Sequence, residues 1–349
     1  MTSTDANAEV TNSLPANDSA PARRIAWSAL AERYALVLLL VLTIVMFALL
    51  PQTGAVFVSS ANVRALLSNQ AVIALVALAT IVPLICGQID LSVGPAAGLC
   101  GLLAAGLSAQ HGYPGLVAIS LGIVAGALIG LVNGLLVAYL GVGAIVATLG
   151  TSTLIEAFVS FYSENEAIVS GIPPLFINLG AGAVAGVPRT VWYLVVVGIA
   201  LYYVLQQTPF GRHLNYIGEN RRAVELLGIP VKRYICSSFI LSGTIAAAAG
   251  VLQVAIAGSA SPQVGPGFTL PGLAAAFLGA TAVRPGRFNV IGTLVAIFLV
   301  AVIVNGLTLL GAADWMQPAV NGASLLIAVV IGAVAGRSGR RAGPVRRSR

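Results

Sequence analysis

Ten long apolar runs dominate this chain, and they limit its fold more than any other feature. Hydrophobic residues make up 58% of the 349 residues and charged residues only 8%, which is too apolar for a soluble domain. Most runs are close to the ~20 residues that an α-helix needs to cross a bilayer, although two of them are short or marginal. We expect an all-α fold, a polytopic transmembrane helical bundle with about ten spans, at residues 34–50, 65–86, 91–110, 114–140, 143–163, 190–206, 234–257, 271–283, 290–311 and 315–335.

The basic residues predict how these spans are threaded. With the N-terminus inside, all but two of the 18 lysines and arginines fall on the cytoplasmic side, and only Arg64 and Arg189 fall outside. Both termini are then cytoplasmic, and the net charge of +7 needs no nucleic-acid partner. We expect a disordered tail at 1–33, a membrane domain at 34–336 and a basic tail at 337–349 that lies against anionic lipid head groups.

Two groups of spans resemble each other in layout. Spans two to five and spans seven to ten each contain a break rich in Gly, Pro and Ser after their first helix, at 86–98 and at 258–272. In the predicted threading, the first group enters the membrane from outside and the second from inside, so the two groups are inverted. Paired breaks in inverted halves indicate a central translocation path between them. Span four also carries glycines at four-residue spacing, for which we expect internal helix packing: Gly122, Gly126, Gly130 and Gly134.

One long charged segment, at 207–233, interrupts the apolar chain, and we expect it to form a cytoplasmic loop. Within it we expect a two-turn helix over 221–227, which Asn220 can cap and which Gly228 and Pro230 end. Glu219 suits the positive end of that helix, and Arg221 can pair with Glu225. From the residues alone, docking of a soluble partner and a merely solvated loop helix are equally supported.

Four pieces of the sequence, in order, resemble one family. They are GQIDLSVGPAAGL, NGLLVAYLGVGAIVATLGT, TPFGRHLNYIGENRRAVELLGIPVKR, and GSASPQVGPGFTLPGLAAAFLGAT with the GRFNVIGTLVAIFLVAVIVNGLTLLG that follows. Together they cover residues 62–331 and are similar to bacterial ABC-transporter permeases of the ribose/xylose-type sugar-uptake family, in the branched-chain amino acid/monosaccharide permease superfamily. The chain departs from the family at Gln88, where glycine is usual, and at Glu156, where an uncharged residue is usual.

The resemblance implies a permease subunit of an ATP-driven importer in the bacterial cytoplasmic membrane. It implies three kinds of protein partner besides the lipid bilayer: a cytoplasmic ABC ATPase that binds the ATP and Mg²⁺, an extracytoplasmic solute-binding protein, and a second permease copy or paralogue. It also assigns a coupling helix that seats in the ATPase, with matching positions at Glu219, Asn220, Ala223, Leu227, Gly228 and Ile229.

Polar residues in the apolar spans are candidates for the solute path or for structural roles. For Asp90 we favour capping of the next helix over proton relay, and we place Gly94 in the same helix break. Asn133 equally suits an interhelical hydrogen bond, and Glu156 more readily reaches the outer interface than it lines the path. We expect no metal site, and the path candidates are Asn133, Thr148, Glu156, Gln253 and Asn305.

Other functions remain open from the residues. An ion-coupled secondary transporter would also suit inverted halves, with Asp90 and Glu156 as the candidate charges. A membrane enzyme is disfavoured because no cluster of catalytic residue types falls at one depth of the membrane. ATP hydrolysis on this chain is disfavoured because its only lysine, Lys232, is followed by Arg233, whereas the GxxxxGK[ST] phosphate loop needs Ser or Thr there. Within the superfamily, branched-chain amino acids, nucleosides and signalling furanosides are alternative solutes.

Overall fold

The computed structural model describes the backbone of residues 22–341 and the side chains of residues 33–331. This part of the chain is almost entirely helical. It also contains a short antiparallel hairpin of two strands with two residues each, β1 (Ala183–Val184) and β2 (Val187–Pro188). A 3₁₀ turn covers Pro266–Phe268. The helices are α1 (Ala22–Leu49), α2 (Gly54–Phe57), α3 (Ser60–Ile85), α4 (Val93–Ala109), α5 (Gly115–Ala138), α6 (Ala144–Ser163), α7 (Pro174–Gly180), α8 (Arg189–Gln207), α9 (Pro209–Leu226), α10 (Val231–Ala257), α11 (Thr269–Gly279), α12 (Val290–Leu309) and α13 (Met316–Arg341).

Each of the ten apolar runs is a helix, which confirms the all-α polytopic bundle. Among the described residues, six helices are long and apolar enough to cross a membrane: α3, α5, α6, α8, α10 and α12. Shorter apolar stretches lie in α1, in α4, at Pro266–Gly279 and in α13, so the count of ten spans stays a prediction. Helix α1 begins at Ala22, inside the segment predicted as a tail, and α13 continues to Arg341. Residues 1–21 and 342–349 of the two predicted tails lie outside the described part.

The core lies around α3 and α10, the first helices of the two predicted halves. In each of them 67% of the apolar span is buried, against 22% in α5 and 28% in α6 and α8. Large side chains such as Leu78 and Ile81 of α3 and Ile235 and Phe239 of α10 are completely buried. The outer helices instead expose side chains such as Phe161, 80% accessible. Because so many large apolar groups face outwards, these surfaces suit lipid or another protein rather than water.

Helix neighbours in one half have counterparts in the other. Helix α10 packs on α4 and α5, as α3 packs on α11 and α12. Helix α4 contacts α5 and α6, as α11 contacts α12 and α13. Exchanging α3–α6 with α10–α13 reproduces these pairs of neighbours, which is the arrangement expected of two structural repeats that interlock through their first helices.

The spaced glycines of α5 form a contact surface for neighbouring helices. A Cβ added at Gly126 or Gly130 would collide with carbonyl oxygens of α10, at Gly243 and Phe239. One added at Gly122 would lie 2.9 Å from the Cys100 carbonyl oxygen of α4. The predicted internal packing role of this glycine ridge is confirmed.

The two helix breaks meet inside the bundle. A Cβ at Gly94, in the first turn of α4, would lie 2.7 Å from the carbonyl oxygen of Gly265, just before the 3₁₀ turn that leads into α11. A Cβ at Gly98 would lie 2.7 Å from the Cα of the same Gly265. Any side chain at these positions would force the breaks apart, so glycine here sets how closely the halves approach.

Candidate functional site

The charged segment carries a short capped helix at its tip. Helical hydrogen bonding runs along α9, but Asn220 has the non-helical angles φ −157° and ψ 87°, which separate a final short helix from the longer first part. The Asn220 side-chain oxygen accepts the backbone N–H of Ala223 at 3.1 Å, which is N-capping geometry. Arg221 pairs with Glu225 at 3.0 Å, and Gly228 ends the helix at φ +75°. We call residues 220–228 the tip helix.

The tip helix presents apolar side chains to its surroundings. Leu226 is 84% and Leu227 77% accessible, and Ala223 is also exposed. Val224 points the other way and is buried, and Ile229 packs against the main core. The helix is thus anchored through one face and exposes an apolar edge on the other.

The first part of the segment is a helix, although its charges predict a loop. The helix over residues 209–219 starts with Pro209, a residue that suits the first helical turn. It buries Leu214 and Ile217 against the bundle. Gly218 lies against the end of α3, where an added Cβ would collide with the Ile85 carbonyl oxygen. The part of α9 that leads into the tip helix therefore packs against the residue that precedes the first helix break.

A second connection runs from α9 to the other half. The Glu219 carboxylate forms an ion pair with Arg287, which lies in the turn between α11 and α12. Both side chains are more than half exposed, so the pair adds little to stability. The pair does connect the base of the tip helix to the second repeat. Helix-end electrostatics alone do not predict Arg287 as the partner of Glu219.

Asp90 lies in a buried polar cluster at the first helix break. Its Oδ1 accepts the backbone N–H of Ser92 at 3.0 Å and the Ser92 hydroxyl at 2.7 Å, and the Ser242 hydroxyl of α10 donates to its Oδ2 at 3.4 Å. Helix α4 begins at the next residue, Val93. The carboxylate therefore binds the residue that precedes the first turn, rather than an N–H within it.

Two of the path candidates belong to this cluster. The Asn133 side-chain amide of α5 donates to the Ser92 hydroxyl at 2.8 Å, and its own oxygen is buried without a hydrogen-bond partner among the described residues. The Thr148 hydroxyl of α6 accepts the backbone N–H of Leu91 at 3.1 Å. Helices α4, α5, α6 and α10 are thus fastened together at the break by short polar side chains.

The other three path candidates line separate cavities. Glu156 lines a cavity of about 210 Å³ between α4, α6 and the second break, where Gln263 and Asn165 also lie. Gln253 lines a small one of about 50 Å³ between α4 and α10. Asn305 lines a third, between α3, α11, α12 and α13. The five candidates are therefore spread over four places and do not converge on one site within the chain.

The third cavity is lined by carboxamides. It has a volume of about 230 Å³, and Asn62 and Asn305 exchange two side-chain hydrogen bonds at 3.0 and 3.1 Å at its edge. Such side chains both donate to and accept from hydroxyl groups without adding charge. We call it the carboxamide cavity, and its amide side chains are Asn62, Asn69, Gln70, Asn305, Gln317 and Asn321. Sequence reasoning finds only Asn305 among them, because each of the others stands alone in or beside an apolar run.

The sequence as a whole matches a known permease family. The family model for the permease component of the branched-chain amino acid transport system matches residues 62–329, well over half of the chain. The chain belongs to this permease family. Its relatives confirm the ribose/xylose-type ABC permeases identified from the sequence motifs, so this permease is a transport subunit and not an enzyme. The secondary-transporter and membrane-enzyme alternatives are not favoured.

Similar relatives are import permeases. The ribose import permease protein RbsC of Escherichia coli (strain K12) is 33% identical over 309 residues, covering 88% of this permease and 94% of the relative. The RbsC of Haemophilus influenzae is 32% identical over 290 residues, with 82% and 90% covered. The autoinducer 2 import system permease protein LsrD of Yersinia enterocolitica is 34% identical over 266 residues, with 74% and 80% covered. No solved structure matches the chain.

Proposed function

We propose that this permease forms the membrane path of an ATP-driven importer for a ribose-like sugar or another small hydroxylated solute. A separate cytoplasmic ATPase binds the ATP and Mg²⁺, a binding protein outside the membrane delivers the solute, and a second permease copy or paralogue completes the path. The permease lies in the bacterial cytoplasmic membrane with both termini inside.

The observation that carries the proposal is the tip helix. It is capped by Asn220, closed by Gly228 and anchored by buried Val224, yet it leaves Leu226 and Leu227 almost fully exposed. Exposed leucines on a rigid polar element are costly in water and become favourable when a partner covers them. A cleft on the ATPase is the partner that the family membership supports.

The connections of α9 suggest how movement reaches the path. When the ATPases close on ATP, the tip helices move with them. The contact of Gly218 with Ile85 passes that displacement to the end of α3, and the Glu219–Arg287 pair passes it to the second repeat. The first connection ends at the residue before the first helix break, and the second ends in the turn between α11 and α12. Movement at these two points would rock one half against the other and switch the path between outward and inward access.

The character of the solute is supported by the carboxamide cavity and by the names of the relatives. Among the described residues, the lining offers six amide groups and no ionised side chain, which suits an uncharged solute with several hydroxyl groups. Some relatives are named for ribose and others for autoinducer 2. Branched-chain amino acids, named in the family description, would need partners for two charged groups that this lining does not offer.

Replacing Ala223 with Arg tests the coupling role. If the exposed Ala223 face seats in an ATPase cleft, the larger charged side chain overfills the contact and should cost several kcal/mol of binding. We expect Ala223→Arg to insert at normal abundance but to lose both ATPase co-purification and radiolabelled ribose uptake by more than tenfold. Western blotting of membranes, pull-down and uptake measure the three quantities.

Ala313→Arg is the matched control, because Ala313 is an exposed alanine in the turn between α12 and α13, away from α9. It should keep wild-type pull-down. Wild-type pull-down and uptake for Ala223→Arg would instead identify the tip helix as a solvated loop helix and remove the ATPase-docking assignment.

A further inference from the structure

A polar cavity lies at the end of the bundle that carries α9. It has a volume of about 150 Å³ and is formed by the last residues of α3 and α8, the first part of α9 and the turn that leads into α12. Three of these helices, α3, α8 and α12, are long and apolar enough to cross a membrane. Because the cavity lies where these apolar helices end, the predicted spans place it at the level of the lipid head groups.

The cavity is positively charged. Arg212, Arg284 and Arg287 line it, and Glu219 is the one described carboxylate within ion-pair distance of any of them. Arg212 donates to the backbone oxygen of Gln207 and not to an acid. Three guanidinium groups against one carboxylate leave an excess of two positive charges at the cavity.

One amide oxygen in the lining is buried and has no hydrogen-bond partner among the described residues. The side-chain oxygen of Gln206 is shielded from solvent and has no hydrogen-bond partner among the described residues. The oxygen and nitrogen of a Gln amide exchange places by rotation about the last side-chain torsion, which would present an N–H donor at the same position. A buried polar group left unpaired is costly, and in that flipped orientation the amide N–H would donate to a ligand with acceptor oxygens. Asn215 and Tyr216 add further polar groups to the lining.

We infer that this cavity binds a phosphate group, supplied by an anionic phospholipid at the membrane surface. Guanidinium groups match phosphate oxygens in charge and in geometry, and basic pockets between membrane helices bind lipid head groups in this way. A bound phosphate would bridge Arg212 of α9 and Arg284 of the α11–α12 turn, beside the Glu219–Arg287 pair. The lipid would thus reinforce the connection between the tip helix and the second repeat, a role beyond the proposed transport function and independent of which solute is carried.

Native mass spectrometry of the purified full chain tests this site. The chain is titrated separately with dioctanoyl phosphatidylglycerol, dioctanoyl phosphatidylcholine and inorganic phosphate. We expect phosphatidylglycerol to bind the wild type at least tenfold more tightly than Arg212→Gln/Arg284→Gln, and more tightly than phosphatidylcholine does, because the choline cation opposes the arginines. Gln206→Leu, which keeps the size of the side chain but removes its amide, should weaken binding severalfold without changing any charge.

Arg222→Gln/Arg233→Gln is the matched control, since it removes two exposed arginines of the same charged segment that do not line the cavity. It should bind phosphatidylglycerol like the wild type. Preference for the lipid over inorganic phosphate assigns the phosphate to a head group, and equal or tighter binding of inorganic phosphate overturns the lipid assignment in favour of a free anion.

Equal losses in the cavity and control double variants would show only general attraction to the basic segment and would overturn the site. Unchanged lipid binding in Arg212→Gln/Arg284→Gln would also overturn the site. If ATPase co-purification fell in that variant while lipid binding stayed unchanged, the cavity would bind an acidic group of a protein partner instead. Thermal melting of each variant in detergent separates these outcomes from misfolding, and Gln206→Leu decides the question if the arginine variant does not fold.

Discussion

At the scale of the residue, Asp90 shows how an acid is accommodated among apolar helices. Its carboxylate accepts from the amide and hydroxyl of Ser92 and from the hydroxyl of Ser242, and Asn133 donates to the same Ser92 hydroxyl. The Ser92 and Ser242 donors would lose this acceptor without the acid, so it organises the start of α4 and its contact with α10. These contacts support the structural role that we favour over proton relay.

Asp90→Asn and Asp90→Ala should therefore differ. Asn keeps one acceptor oxygen for Ser92, whereas Ala leaves buried donors unpaired, at about 1–3 kcal/mol for each group. We expect Asp90→Ala to melt well below Asp90→Asn in detergent, and Asp90→Asn to retain most of the uptake. A normally stable Asp90→Asn protein without uptake would instead indicate that ionisation of this group is needed for transport.

The same scale shows what the sequence could and could not reveal. The sequence predicts Asn220 and Gly228 as the ends of the tip helix, because caps depend on residues that are neighbours in the sequence. Arg287 was not predicted as the partner of Glu219, because that pairing depends on how the α11–α12 turn folds back on α9. The carboxamide cavity was missed for a similar reason: Asn62 and Asn305 meet only when α3 and α12 pack.

At the scale of the element, α9 is the main departure from the sequence-based expectation. Its charges predict a loop, yet its first part is helical because Leu214 and Ile217 are spaced to bury against the bundle. The membrane helices were predicted more reliably, since apolar length alone determines them. A polar helix on the surface of a membrane protein has no long apolar run, so it is recognised only from the side chains that it buries in the folded structure.

The end of the tip helix gives a prediction for α9. Gly228 has φ +75°, so Gly228→Val places a β-branched residue in the left-handed region, at a cost of about 1–2 kcal/mol, and reorients the exposed leucines. Gly228→Asn should be tolerated, because Asn adopts this conformation readily. We expect Val to lower ATPase co-purification and uptake together while Asn preserves both. Equal activity of the two variants would show that the geometry of this end does not matter for coupling.

At the scale of the whole molecule, the two repeats interlock rather than stand side by side. Helix α3 packs against α11 and α12 of the other repeat, and α10 against α4 and α5. Paired breaks at corresponding positions suggested the repeats from the sequence. The interlocking could not be inferred, because it depends on which helices pass between which neighbours.

The threading of the spans can be measured in a variant without Cys86, Cys100 and Cys236, which are buried and free. We expect a membrane-impermeant maleimide to label Glu166→Cys in intact cells and Glu225→Cys only after permeabilisation. The predicted threading places the two positions on opposite sides of the membrane, because one predicted span, at 190–206, separates them. Labelling of both positions in intact cells would contradict the predicted threading.

The contact between the two breaks also has a consequence for how the permease is synthesised. Gly94 and Gly98 are made long before Gly265, the residue against which they pack. Until the later repeat leaves the ribosome, the early repeat has a glycine-lined surface without its neighbour and an acid without its Ser242 donor. The early repeat therefore cannot reach its final packing alone, and a chain that ends after α8 should be removed by membrane proteases. The repeats are units of architecture, whereas folding is completed only by the whole chain.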